Sequence, residues 1–130
     1  MRKLILAVLL VALVVACRSP DKAYVGCVDN KVIPELNRLS IIAKQMQEPN
    51  PDELMEWLRV VGDTRQTLKS CPEPENSDLR LSRYLLDDSL ENIKMAVLSL
   101  TSGDYDLALE YMAKGYAQYE SAWAILEEWR

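Results

Sequence analysis

Apolar residues recur along the chain at steps of three and four, and three short breaks divide the pattern. Between about Lys22 and Gln47 they are Val25, Val28, Val32, Leu36, Leu39, Ala43 and Met46, the stripe of an amphipathic helix. Pro34 falls inside this stripe, where a proline removes a hydrogen bond and crowds the preceding turn. The stripe keeps its phase across Pro34, which predicts one kinked helix and not two. After the Pro49-Asn50-Pro51 break, Asn50 reads as a cap and Pro51 as the first helical residue. Asp52 and Glu53 place negative charge where the helix dipole favours it. Leu54, Leu58, Val61, Leu68 and Cys71 supply this segment's face, with Trp57 beside them. Gly62 weakens its middle by roughly 1 kcal/mol relative to alanine.

Pro72-Glu73-Pro74-Glu75-Asn76 ends the second segment. A third, from about Ser77 to Leu100, carries Leu79, Leu86, Leu90, Ile93, Val97 and Leu100 in a near-heptad pattern of the kind bundles use. Beyond the Ser102-Gly103-Asp104 turn, a fourth presents Tyr105, Ala108, Met112, Tyr116, Tyr119, Trp123 and Leu126. No strand-like alternation appears. Four such segments joined by short breaks predict an all-α domain, an antiparallel up-down-up-down four-helix bundle over residues 23–130.

The first seventeen residues follow a different pattern. Arg2 and Lys3 precede an unbroken apolar run from Leu4 to Ala16, and the chain turns polar at Arg18-Ser19-Pro20-Asp21. The run is shorter than the roughly 20 residues a membrane span needs, and its flanks are those of a secretory signal over residues 1–16. Val14-Val15-Ala16-Cys17 resembles the lipobox of bacterial lipoproteins. That resemblance covers only these residues. It implies a diacylglycerol on Cys17, cleavage before it and acylation of the new amino group, with residues 17–22 as a short tether. Two or three acyl chains make a stable anchor where one does not. The implied location is the bacterial cell envelope, on its extracytoplasmic side, periplasmic or surface-exposed. Arg18, in place of the aspartate that retains enterobacterial lipoproteins at the inner membrane, points to the outer membrane where one exists. Cleavage after Ala16 without lipidation is the alternative.

Composition narrows the function classes. Loss of Arg2 and Lys3 with the signal takes the formal charge from −5 to −7, which disfavours nucleic acid and anionic surfaces as partners. There is no histidine, which excludes serine–histidine and cysteine–histidine nucleophiles, histidine zinc sites and the di-iron motif of ferritin-like bundles. Cys27 and Cys71 stand at equal distance from the Pro49–Pro51 break, so antiparallel flanking helices bring them side by side. A disulfide is expected there, in an oxidising compartment. Asp87, Asp88 and Glu91, and Asp104, Asp106 and Glu110, are acidic clusters without calcium-loop spacing and read as solvated faces.

Three further features bear on binding. Gly103, Tyr105 and Ala108, followed by Met112 and Gly115, resemble part of a tetratricopeptide repeat over about 13 residues. The preceding segment lacks that motif's tryptophan and tyrosine, so the resemblance implies one helical hairpin and a bias towards protein binding. Arg65 and Arg83 come level across the Pro72–Asn76 connector, near the level of Glu120 and Trp123. Either their stems cover the core while their heads reach water or carboxylates, or they line a pocket for a small acidic ligand. Lastly, Asp52, Glu53, Asp104 and Asp106 would share the end of the bundle far from the membrane and steer a basic partner there. The expectation is a lipid-anchored, non-catalytic binding or assembly module for another envelope protein, without cofactor. The alternative is a ligand-binding lipoprotein with its pocket near Arg65 and Arg83.

Overall fold

The computed structural model of the chain describes residues 3, 19–45 and 50–130. The run from Leu4 to Ala16, Cys17 and Arg18, and residues 46–49 lie outside the described residues, and with them the lipidation site and most of the first break. The protein is all-helical, with four helices and no strand among the described residues.

Helix α1 is built of Pro20–Cys27, a π-helical turn Val28–Val32, and Ile33–Gln45, which follow one another without a break. It begins slightly earlier than expected because Ser19 is a competent cap. The Ser19 hydroxyl accepts from the Lys22 amide at 3.1 Å, Pro20 takes the first helical position and Asp21 sits in the first turn. The expected disturbance at Pro34 takes the form of the π turn immediately before it. The Ile33 amide donates to the Val28 carbonyl, five residues back. Val28 and Val32 are both fully buried, so the wide turn leaves the apolar stripe in phase.

Helix α2 spans Pro51–Ser70, α3 Ser77–Thr101 and α4 Tyr105–Glu127. Each starts on a side-chain cap. Asn50 Oδ1 accepts from the Glu53 amide at 2.8 Å, Asn76 Oδ1 from Asp78 and Leu79, and Asp104 from Leu107 at 3.1 Å. Gly103, at φ +80°, makes the turn into α4.

The core is one cluster to which all four helices contribute, including Val28, Val32, Leu39, Val61, Leu68, Leu79, Leu86, Leu90, Val97 and Leu126. The most extensive contact is between α3 and α4. Its seam is made of small residues. Ser82, Ser89 and Ala96 on α3, and Ala108, Gly115 and Ala122 on α4, recur every seven positions and are buried. This departs from the sequence reading, in which Tyr105 and Tyr116 belonged to the inner face of α4. Both are 63% exposed, because backbones this close leave room only for small side chains between them.

Three contacts gather the chain at one end. Asp21 Oδ1 accepts from the amides of Glu75 and Asn76, at 2.7 and 3.0 Å. Cys27 and Cys71 are disulfide-paired with 5.7 Å between their Cα atoms. Arg130 donates to Asp29 at 2.7 Å. These tie the start of α1 to the α2–α3 connector and to the C-terminus.

Buried hydroxyls in the core are satisfied. Thr64 bonds back to the Val60 carbonyl and Ser99 to that of Met95. Tyr24, wholly buried on α1, was not legible as a core residue. Its hydroxyl lies 3.0 Å from Ser82 Oγ, which itself donates to the Leu79 carbonyl at 2.7 Å. Tyr24 therefore donates to Ser82, and burial pushes its phenol above the ordinary value. The asymmetry is testable. Tyr24→Phe leaves Ser82 bonded to Leu79 and costs about 1 kcal/mol or less, whereas Ser82→Ala strands a buried phenol and costs about 1–3 kcal/mol. Equal losses in urea unfolding would contradict this donor order.

Candidate functional site

A crevice of about 380 Å³ opens between the four helices, walled mainly by apolar groups. The packing seam shapes it. Gly115 brings α4 against α3 on one side, while α1 and α2 make less extensive contacts. Leu36, Asn37, Leu39 and Ser40 line it from α1, Trp57 from α2, and Ser89 and Ile93 from α3. From α4 come Met112, Gly115, Tyr116 and Tyr119. None of the lining residues is charged.

Its polar groups differ in state. Ser89 Oγ donates to the Gly115 carbonyl at 2.6 Å and has no donor left. Tyr119 is half-buried. Burial pushes its phenol up, and the charge of Arg130 partly offsets this. Trp57 is 5% exposed, and its indole N–H has no hydrogen-bond partner. An indole N–H can only donate.

A second groove, about 500 Å³, runs between α1 and α2 past the π turn, lined by Asn30, Pro34, Glu35, Arg38, Arg59 and Asp63 among others. Most of its charged side chains take part in ion pairs. Arg59 bonds to Asp63 at 2.9 Å and to Glu56, and Arg38 lies 3.6 Å from Glu35.

The four residues expected to frame an acidic-ligand pocket have separate settings. Arg65 reaches from α2 to α3, where Nε and Nη2 grip the Asp87 carboxylate at 3.0 and 3.2 Å and Nη1 bonds Glu91. The Asp87 hydrogen bond above all raises its pKa, so the charge is fixed and already matched. Arg83 donates to the carbonyls of Cys71 and Lys69 at 3.3 and 3.0 Å, closing the C-terminal end of α2. It lines a depression of about 350 Å³ with Arg80, Tyr84 and Asp87. Glu120 and Trp123 line another, with Tyr116 and Tyr119. Arg130 lies over the Trp123 ring, 4.0 Å from its centre. Arg65 is not among the residues lining the Arg83 depression, and each guanidinium is turned to a partner within the chain.

The acidic positions are also in use locally. Asp88 accepts from Gln118, and Asn92 donates to the same Gln118 at 2.6 Å, lacing α3 to α4. Among the described residues no group of three or more acidic or cysteine side chains is arranged to hold a metal ion. Asp52, Glu53, Asp104 and Asp106 are exposed in the first turns of α2 and α4, with Asp104 as the cap of α4. Met55, Tyr105 and Leu109, each more than half exposed, stand close to them in sequence.

The fold and site together define an all-helical, disulfide-bearing protein with a crevice between its helices. No family model, curated protein or solved structure matches the chain.

Proposed function

We propose that the chain is an extracytoplasmic protein, anchored to the envelope membrane through acyl groups on Cys17, that acts as a non-catalytic binding module for another envelope protein. The observation that carries this is the Cys27–Cys71 pair at disulfide distance. Such bonds persist in oxidising compartments, the destination that the signal-like start of the chain implies. In this reading residues 23–130 form an antiparallel up-down-up-down bundle. The links Asp21–Asn76, Cys27–Cys71 and Asp29–Arg130 support it by gathering the segments that would share the membrane-near end. The starts of α2 and α4 then share the far end, where exposed Asp52, Glu53, Asp104 and Asp106 beside Met55, Tyr105 and Leu109 suit a basic partner with apolar contacts.

Two measurements test this. With Cys17→Ser, the protein leaves the detergent-extracted lipoprotein fraction; if it stays there at its mature mass, the anchor is wrong. The combination Asp52→Lys, Glu53→Lys, Asp104→Asn and Asp106→Lys keeps a capping side chain at 104. It is expected to weaken recovery of the partner from native membranes at least fivefold while circular dichroism stays unchanged. Recovery that survives these changes but fails on altering Trp129 and Arg130 would place the working surface at the other end.

A further inference from the structure

The crevice between the four helices has chemistry that the protein-binding reading does not use. We propose that it is a small-molecule site for an uncharged, largely apolar ligand carrying one hydrogen-bond acceptor, such as an ester or ketone oxygen, which the Trp57 indole N–H engages. Its volume of about 380 Å³ falls in the range of roughly 300–1,000 Å³ usual for such sites. The absence of any charged lining residue selects against an ionised ligand, because an ion entering an apolar wall loses hydration that nothing there replaces.

The acceptor requirement comes from Trp57. Native proteins satisfy nearly all buried polar groups, and an orphan one calls for a physical reason. This N–H is the only orphan side-chain group found buried among the described residues, and it belongs to a residue of the crevice wall. It is sealed from solvent, so water in the open part of the crevice does not serve it. Trp57 is itself part of the crevice wall, and in the proposed complex its ring turns so that the N–H meets the seated ligand's oxygen. Ser89 cannot compete for that oxygen because its proton is held by the Gly115 carbonyl. The ligand's apolar part then lies along Leu36, Ile93 and Met112.

The test uses the full chain held in amphipol and three probes of similar length: methyl octanoate, nonane and octanoate. Methyl octanoate is expected to shift the Trp57 indole N–H resonance saturably downfield in proton–nitrogen spectra, the peak being assigned by its loss in Trp57→Phe. Nonane and octanoate bind at least tenfold more weakly. In calorimetry Trp57→Phe, which keeps the apolar ring and removes the donor, weakens the ester about fivefold to tenfold, the worth of one hydrogen bond. Met112→Trp fills the crevice and abolishes binding; should it fail to fold, Ile93→Phe serves instead. No saturable binding of the ester, equal binding of nonane, or undiminished binding by a folded crevice-filling variant would each overturn the proposal. A Trp57→Phe protein that binds the ester as tightly as the parent overturns it as well.

Discussion

Replacing Cys27 and Cys71 together by alanine lowers the melting temperature of the protein by about 10–20 °C. The two residues stand 44 positions apart, and the link removes conformational freedom from the unfolded chain in proportion to the logarithm of that loop. For a loop of this size the contribution is about 3–4 kcal/mol, and in a domain slightly above 100 residues each kcal/mol moves the midpoint by roughly 4–5 °C. Local structure adds to the effect. Cys71 is 3% exposed at the C-terminal cap of α2, and Cys27 directly precedes the π turn of α1. Without the link, the widened turn loses its covalent tie to α2, and Arg83 loses the fixed position of the Cys71 carbonyl it binds. Reductant added to the parent protein should reproduce the shift and leave the double-alanine protein unmoved. A change below about 3 °C in both would mean that the Asp21 and Arg130 contacts alone hold this end together.

What the sequence disclosed about this end, and what it hid, has a physical logic. Cys27 and Cys71 were paired by counting from the Pro49–Pro51 break, and counting works because rise per residue is nearly constant in helices. The same arithmetic brought Arg65 and Arg83 level. It could not say which way each points, because rotation about the helix axis depends on partners that lie on other helices. Arg65 turns to Asp87 and Glu91, and Arg83 to the carbonyls ending α2. Pro34 announced a disturbance in α1 but not its form, since a kink and a π turn both relieve the missing hydrogen bond.

Part of the inner face of α4 was hidden for a different reason. Periodicity weighs residues by hydrophobicity, so Ala108 was placed on this face but Tyr105 and Tyr116 outscored Gly115 and Ala122. Close helix pairing rewards small size instead, and a heptad of small residues on both α3 and α4 is the signal that would have found it. The crevice follows from that seam. Its members Trp57, Met112 and Tyr119 fall on or beside the apolar stripes in sequence. The spacing of residues cannot tell a filled interior from one in which Gly115 pulls two helices together and leaves a gap beside the other two.

That seam gives the second large effect. A Cβ at Gly115 would lie 3.2 Å from the Ser89 carbonyl oxygen, and 3.5 Å from both Asn92 Cβ and Ile93 Cγ1. Alanine there gains about 1 kcal/mol of helix propensity but presses on backbone that must give by tenths of an ångström, so Gly115→Ala ends close to neutral. Leucine has no such balance. Its added atoms drive α4 off α3, an overpacking cost of about 1–3 kcal/mol. The separation also breaks the Ser89–Gly115 hydrogen bond and strands a buried hydroxyl, about 1–3 kcal/mol more. Gly115→Leu is therefore expected to lose about 2–6 kcal/mol in denaturant unfolding. Gly62 supplies the contrast within the same protein. It is exposed in the middle of α2, and a Cβ there would meet nothing within 4 Å, so Gly62→Ala gains up to about 1 kcal/mol from propensity alone. If leucine at 115 proves no more harmful than leucine at 62, the two helices do not meet backbone to backbone. The small-residue seam, and the crevice it opens, would then be wrongly drawn.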